Sequence, residues 1–229
     1  MSQTKEVVVK FDVGGEEIKL SPKIVQEYLT GGQPVTMPEF KMFTELCKAR
    51  KLNPFLREAY IIKFGSQPAT IVVGKDAILK RAINHPEFNG REQGIIALNE
   101  KGEAEERKGA FYAPGETVIG GWAKVYRKGW DHPTYITVSL EEAIQRKKDG
   151  TPNQNWANKP ATMIEKVALV RALRETFVED LGGMIDEDEA WKREDAPRAS
   201  QSAPVQQSDP MSDVVEAEVE EINMEEIPV

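Results

Sequence analysis

Apolar and polar positions alternate from the start of the chain. Over residues 6–20, V-V-V-K-F-D-V-G-G-E-E-I-K-L-S, the alternation runs up to and away from Gly14-Gly15. Period-two patterning around a glycine pair predicts a β-hairpin. Ser21-Pro22 opens a short helix that ends at Gly31-Gly32. Thr36 and Glu39 have capping-box spacing, so a helix follows to about Lys51, where Asn53-Pro54 stops it. Two β-like runs, Ala59–Phe64 and Ala69–Val73, flank Gly65-Ser66-Gln67-Pro68. Asp76 is placed to cap a helix through about Asn84. Residues 94–99 and 117–127 read as strands around a Gly- and Glu-rich excursion, and Thr134–Val138 reads as a further strand. A second capping-box pattern, Ser139-x-x-Glu142, predicts a helix ending near Gly150.

The longest helical pattern runs from Trp156 to Phe177, with Pro160 in its first turn and Gly182-Gly183 closing it. At about 100° per residue, Glu165, Glu175 and Glu179 share one side with Ala161, Ala168 and Ala172. Lys166, Arg171 and Arg174 fall on the other, among Met163, Val167, Val170 and Phe177. Cations on an apolar face need a partner, either an internal carboxylate or an external polyanion. A short acidic helix is expected over 186–194. Hairpins come first, helices flank them, and no regular βαβ alternation follows. The expected class is α+β: a small antiparallel sheet and hairpins, flanking helices, one long C-terminal core helix and a disordered acidic tail.

Charge divides the chain further. Residues 1–185 carry 27 Lys+Arg and 24 Asp+Glu, a net of +3, whereas residues 186–229 carry 3 and 14, a net of −11. Two segments are strongly basic, 41–91 at +6 and 124–174 at +5. From residue 196 the chain is rich in Pro, Ser, Gln, Asp and Glu, a disordered composition. The expected organisation is residues 1–35 as an N-terminal hairpin and short helix, 36–195 as the folded core, and 196–229 as the tail. No apolar run approaches the length of a membrane span and no signal-peptide pattern is present, so a soluble, cytoplasmic protein is expected. The single cysteine, Cys47, reads as a small core residue.

Signals for bond-making chemistry are missing. His85 and His132 each precede a proline, no Cys/His metal spacing occurs, and there is no phosphate-loop or dinucleotide-binding glycine motif. No catalytic residue, metal or cofactor is expected. Nucleic-acid signals are better. Phe55, Arg57, Tyr60 and Lys63 interleave aromatic and basic residues, Lys80-Arg81 follow, and Lys124, Tyr126, Arg127, Lys128 and Trp130 repeat the interleaving. Cations can track phosphates while aromatic faces stack bases, a mixture suited to single strands. Each aromatic taken singly also reads as core.

Several of these residues fall in segments that resemble the RecT superfamily of phage recombination proteins, and its Bet (Redβ) group in particular. Leu52-Asn53-Pro54-Phe55-Leu56-Arg57-Glu58-Ala59-Tyr60 is similar to that group's L-N-P-aromatic-x-basic-Glu-x-Tyr segment. Val72-Val73-Gly74-x-Asp76, Ala82-Ile83-Asn84, Phe88-Asn89-Gly90, Val125-Tyr126-Arg127-Lys128 and Asp131-His132-Pro133 continue the likeness in order. Trp156, Pro160, Met163, Ala168, Arg174 and Phe177 fit its W-x-x-x-P-x-x-M pattern and continuation, and Asp186-x-Asp188-Glu189-Ala190 its D-K-D-E-A. Lys166 and Val167 depart from the group's histidine and lysine, and the chain before position 36 matches poorly.

The resemblance implies ATP-independent binding and annealing of single-stranded DNA in phage homologous recombination, with residues 36–195 as the DNA-binding and annealing core and residues 1–35 available for oligomer contacts. It implies rings or helical filaments of identical subunits that hold single-stranded DNA and annealed duplex, with a phage exonuclease and the host single-strand binding protein as partners, in the bacterial cytoplasm. The expected DNA-binding set is Arg57, Lys63, Lys80, Arg81, Lys124, Arg127, Lys128, Trp156, Lys166, Arg171 and Arg174. Two other classes fit the charge pattern: an adaptor that binds acidic proteins, and a metal-dependent nuclease built on carboxylates. The tail tip, Asn223 to Val229, resembles the acidic tip of bacterial single-strand binding proteins, with valine in place of the final phenylalanine.

Overall fold

The computed structural model describes residues 7–63, 69–186 and 190. The chain divides into two units, residues 1–196 and 197–229, and every described residue lies in the first. Among the described residues the architecture is α+β, with three small antiparallel sheets and helices packed on them.

Strands β1 (Val9–Val13) and β2 (Glu16–Leu20) form the predicted hairpin. Gly14 and Gly15 turn it at φ 63° and 88°, a region that glycine enters without a Cβ clash. The alternation buries Phe11, Ile18 and Leu20. Ser21 caps α1 (Pro22–Ile24), which continues as a π-helical turn, Val25–Leu29. Helix α2 (Met37–Arg50) begins with the predicted capping box, both reciprocal bonds present. Glu39 also accepts from the Ala69 N–H at 2.9 Å and from Lys63 Nζ at 3.0 Å. Burial opposes its ionisation, but the Thr36 and Ala69 N–H groups and Lys63 outweigh that and hold the carboxyl down at about 2. Cys47 is fully buried on α2, and burial pushes its thiol up to about 12.

A 3₁₀ turn, Pro54–Leu56, leads to the hairpin of β3 (Ala59–Ile62) and β4 (Thr70–Val73) and then to α3 (Lys75–Ile83). Asp76 is not the cap of α3. Gly74 holds that position, and a Cβ there would lie 3.0 Å from the carbonyl oxygen of Arg57.

The main sheet has the order β6-β5-β7-β8, all antiparallel, from β5 (Phe88–Leu98), β6 (Ala104–Lys108), β7 (Thr117–Arg127) and β8 (Thr134–Ser139). Strand β5 starts six residues before the expected 94, and β6 lies inside the supposed excursion. Its sequence, A-E-E-R-K, has no apolar alternation to betray it, and charges are tolerated on an edge strand.

Helix α4 is one turn only, Leu140–Ala143. Ser139 makes no capping bond, and Ile144 is already extended, at φ −56° and ψ 130°. The polar run Q-R-K-K-D-G has no apolar face to bury, so the helix does not reach Gly150. The expected helix from Trp156 to Phe177 is two: α5 (Gln154–Asn158) and α6 (Pro160–Thr176). They part at Lys159 (φ −144°, ψ 56°), where the following proline excludes helical geometry. Phe177 makes a second break, so Gly182 ends the short α7 (Val178–Leu181) and not α6.

Helix α6 lies across β7 and β8. A Cβ on Gly121 of β7 would sit 2.6 Å from the carbonyl oxygen of Ile164, so glycine there sets the helix–sheet distance. Ten of its 17 residues are buried, including Ala161, Ala168 and Ala172 from one side of the wheel and Met163, Val167 and Val170 from the other. The expected split into a glutamate side and a cation side gives way to burial nearly all round. Most of the acidic helix expected over 186–194, and the whole tail, lie outside the described residues. No described helix is long and apolar enough to cross a membrane.

Candidate nucleic-acid interface

A groove of about 600 Å³ opens beside the two helix starts. One set of lining residues comes from the 3₁₀ turn, β3 and the first turns of α3: Leu56, Arg57, Glu58, Tyr60, Val73, Gly74, Lys75, Asp76, Ala77 and Lys80. The other comes from the chain leading into α6 and its first turns: Gln145, Asn153, Asn155, Lys159, Thr162, Met163 and Lys166. Five cations line it against two carboxylates, a net of +3.

Local structure explains how each cation arrives. Arg57 ends the 3₁₀ turn in left-handed geometry, at φ 57°, with its guanidinium 5.8 Å from the centre of the Tyr60 ring. Lys75 is the first residue of α3, and Lys159 the break before α6. Neither helix start carries a side-chain cap bond, so both set positive dipole ends beside the groove. Lys80 is 65% exposed and reaches Glu58 at 2.8 Å. Burial of Glu58 opposes its ionisation, but the Asn53 N–H and Lys80 prevail and hold it below the usual carboxylate range. Lys75 and Lys159 make no ion pair among the described residues.

The groove therefore gathers Arg57, Lys80 and Lys166 of the expected set, Lys166 with an interaction of its own within the fold, and the rest stand elsewhere. Lys63 is tied to Glu39 and to the Pro34 carbonyl, each at 3.0 Å. Arg81 donates to the Arg50 carbonyl, while Arg50 donates to the carbonyls of Asp180 and Gly182 at 2.7 and 2.9 Å. Lys124 sits on the sheet over the rings of Trp122 and Tyr135, 3.8 Å from Glu106. Arg127 bonds Glu179 at 2.5 Å, Glu87 at 2.6 Å and the Thr176 carbonyl at 2.8 Å, and the two carboxylates raise its affinity for its proton. Lys128 donates to the Pro86 carbonyl at 2.8 Å and Arg171 pairs with Glu142 at 3.0 Å. Arg174 is half-buried on α6 and engaged within the fold. Trp156 is 1% exposed, so its ring is core.

Sequence reasoning missed Lys75 and Lys159. The usable signal was their position, one beside Gly74 and the other before Pro160, where helices begin. His85, Glu87 and Glu179 have metal-ligand spacing, their ligand atoms within 4.8 Å of one another. Arg127 already bonds both of those carboxylates, so a guanidinium fills the place a metal ion would take.

A cationic groove between two uncapped helix starts suits a chain of phosphates. Comparison with known families agrees. The model of the RecT family matches residues 16–204. The chain belongs to the RecT family. No curated protein matches it. RecT family proteins bind single-stranded DNA and act as annealing proteins in recombination, not as conventional catalysts.

Proposed function

We propose that this RecT family protein anneals complementary single strands without nucleotide hydrolysis, and that the groove between α3 and α6 holds the backbone of the first strand. The observation that carries this is the convergence of Arg57, Lys75, Lys80, Lys159 and Lys166 on one groove at two uncapped helix starts. Lys80 can exchange its exposed contact with Glu58 for a phosphate oxygen, since exposed pairs of this kind contribute little. Holding the backbone in the groove leaves base edges accessible to a second strand. Protein cations offset the repulsion between the two phosphate chains, and no bond is made or broken. The biological setting is phage homologous recombination in the bacterial cytoplasm. There the chain works as a Bet-like homo-oligomer, a ring or helical filament, alongside an exonuclease and the host single-strand binding protein.

The test is to mix complementary oligonucleotides with the full chain, with neither ATP nor divalent metal, and to follow duplex formation and strand length. Accelerated pairing of intact strands is the expected result. No acceleration would return the adaptor reading. Strand shortening that needs added metal would return the nuclease reading.

A further inference from the structure

The turn at the groove's rim carries an unusual pair. Phe55 is 50% exposed and Leu56 67% exposed, side by side on the 3₁₀ turn. Large apolar side chains on a flexible loop can be carried inward by the backbone, but here the backbone is fixed. Leu52, Asn53 and Pro54 are buried beneath them. The Phe55 N–H donates to Asn53 Oδ1 at 3.0 Å, and the Asn53 N–H donates to Glu58 Oε2 at 2.9 Å. The N–H groups of Leu56, Arg57 and Glu58 close back onto the carbonyls of Asn53, Pro54 and Asn53. The fully bonded turn thus fixes where both side chains leave the backbone, and the backbone ordering that binding would need is already done.

Leu56 and Arg57 also line the cationic groove, so the apolar pair continues directly into it. The occupant that fits this sequence of surfaces is itself alternately anionic and apolar. Single-stranded DNA is such a ligand, with a charged backbone and flat base faces beside it.

We propose that the Phe55–Leu56 turn is a base-contacting lip of the groove, with the Phe55 ring stacked on a nucleobase of the strand whose phosphates the groove cations hold. This rests on the groove reading and adds to it a source of affinity that salt does not screen. Stacking on an aromatic ring contributes about 1–3 kcal/mol per base, or about 5- to 140-fold in affinity.

The experiment compares the full chain with Phe55→Ala and Phe55→Trp, binding a labelled oligothymidylate and an abasic oligomer of the same length across a salt series. Wild type should favour the base-bearing strand. Phe55→Ala should lose about 5- to 140-fold on that strand, nothing on the abasic one, and keep the wild-type salt slope. Phe55→Trp should retain the preference. Equal wild-type affinity for both strands overturns the lip. So does a Phe55→Ala chain that changes in assembly size with unaltered DNA affinity, since the turn is then a protein contact. A flattened salt slope in Phe55→Ala also overturns it, because the turn then only positions Arg57. Glutamine at the groove lysines separates the two readings. If that flattens the slope while Phe55→Ala is inert, the lip alone fails. If it leaves the slope intact, the groove reading fails.

Discussion

Replacing Lys75 and Lys159 together by glutamine tests the groove with little structural side effect. Both line it, and neither makes an ion pair among the described residues, so no carboxylate is stranded. Each stands at a helix start, where a positive side chain opposes the dipole. Removing it should leave folding stability unchanged or raise it by about 0.3–1 kcal/mol. The effect on DNA follows from counterion release. One lost phosphate contact changes the slope of log affinity against log salt by about 0.7 on single strands, so two change it by about 1.4. Over the decade from about 1 M down to 0.1 M salt each contact is worth about fivefold, so the double variant should bind about 25-fold more weakly at 0.1 M. Anisotropy of a labelled oligothymidylate at several salt concentrations reads both quantities, and thermal unfolding checks the fold. A wild-type slope in the double variant would refute the phosphate assignment. So would a weakened affinity with the slope intact, because the loss would then come from something other than charge.

Three further outcomes separate structural cations and contacts from the groove. Arg127→Gln should lower Tm and leave the DNA salt slope as in wild type, because Arg127 is spent on Glu179, Glu87 and the Thr176 carbonyl; differential scanning and the same anisotropy series check it. Gly121→Ala should destabilise by about 1–3 kcal/mol in urea unfolding, since its Cβ would meet the Ile164 carbonyl oxygen at 2.6 Å. Glu39→Gln should destabilise the chain at neutral pH. The folded carboxyl is depressed to about 2, so its stabilisation is present above the ordinary value of 4.5 and is lost as pH falls towards 2, and the variant and wild type should converge over that window in pH-dependent unfolding.

What the sequence revealed was local, and what it hid was not. Gly14-Gly15 and the Thr36–Glu39 capping box are complete signals within a few residues, and both form. The rule that a residue before proline leaves the helix was present at Lys159, but the unbroken apolar period across 156–177 concealed it. Strand β6 has no apolar period, and only its pairing with β5 makes it a strand. Gly74, not Asp76, caps α3, and its close approach to Arg57, seventeen residues earlier in the chain, leaves no mark in local pattern. The site divides in the same way. A cation reads identically whether a phosphate or a carboxylate will neutralise it. Arg127 finds Glu87 and Glu179 forty and fifty-two residues away, and Arg171 finds Glu142 twenty-nine away, and neither pairing leaves a trace in local pattern. Arg57, Lys80 and Lys166 reach the groove because their elements meet there, which periodicity alone does not encode.

The size of the groove bears on how annealing would be achieved. Five cations give a salt slope of at most about 3.5 in magnitude, reached only when Lys166 and Lys80 exchange their contacts within the fold for phosphates. At roughly 0.15 M salt that amounts to an association constant of order 10³ M⁻¹ per chain from charge alone. One stacked base at the Phe55 lip raises it by about 5- to 140-fold, which still leaves a dissociation constant in the micromolar to sub-millimolar range. A single chain would release a strand too readily to hold it extended for a homology search. Copies bound side by side on the same strand convert each further contact into an intramolecular one, and avidity then multiplies without any new chemistry. The modest charge of one groove is thus the physical reason to expect assembly, and it carries a measurable sign: affinity per chain should rise steeply with oligonucleotide length up to the span of the assembly. A length series that stays flat beyond the footprint of one groove would mean that each chain holds DNA alone.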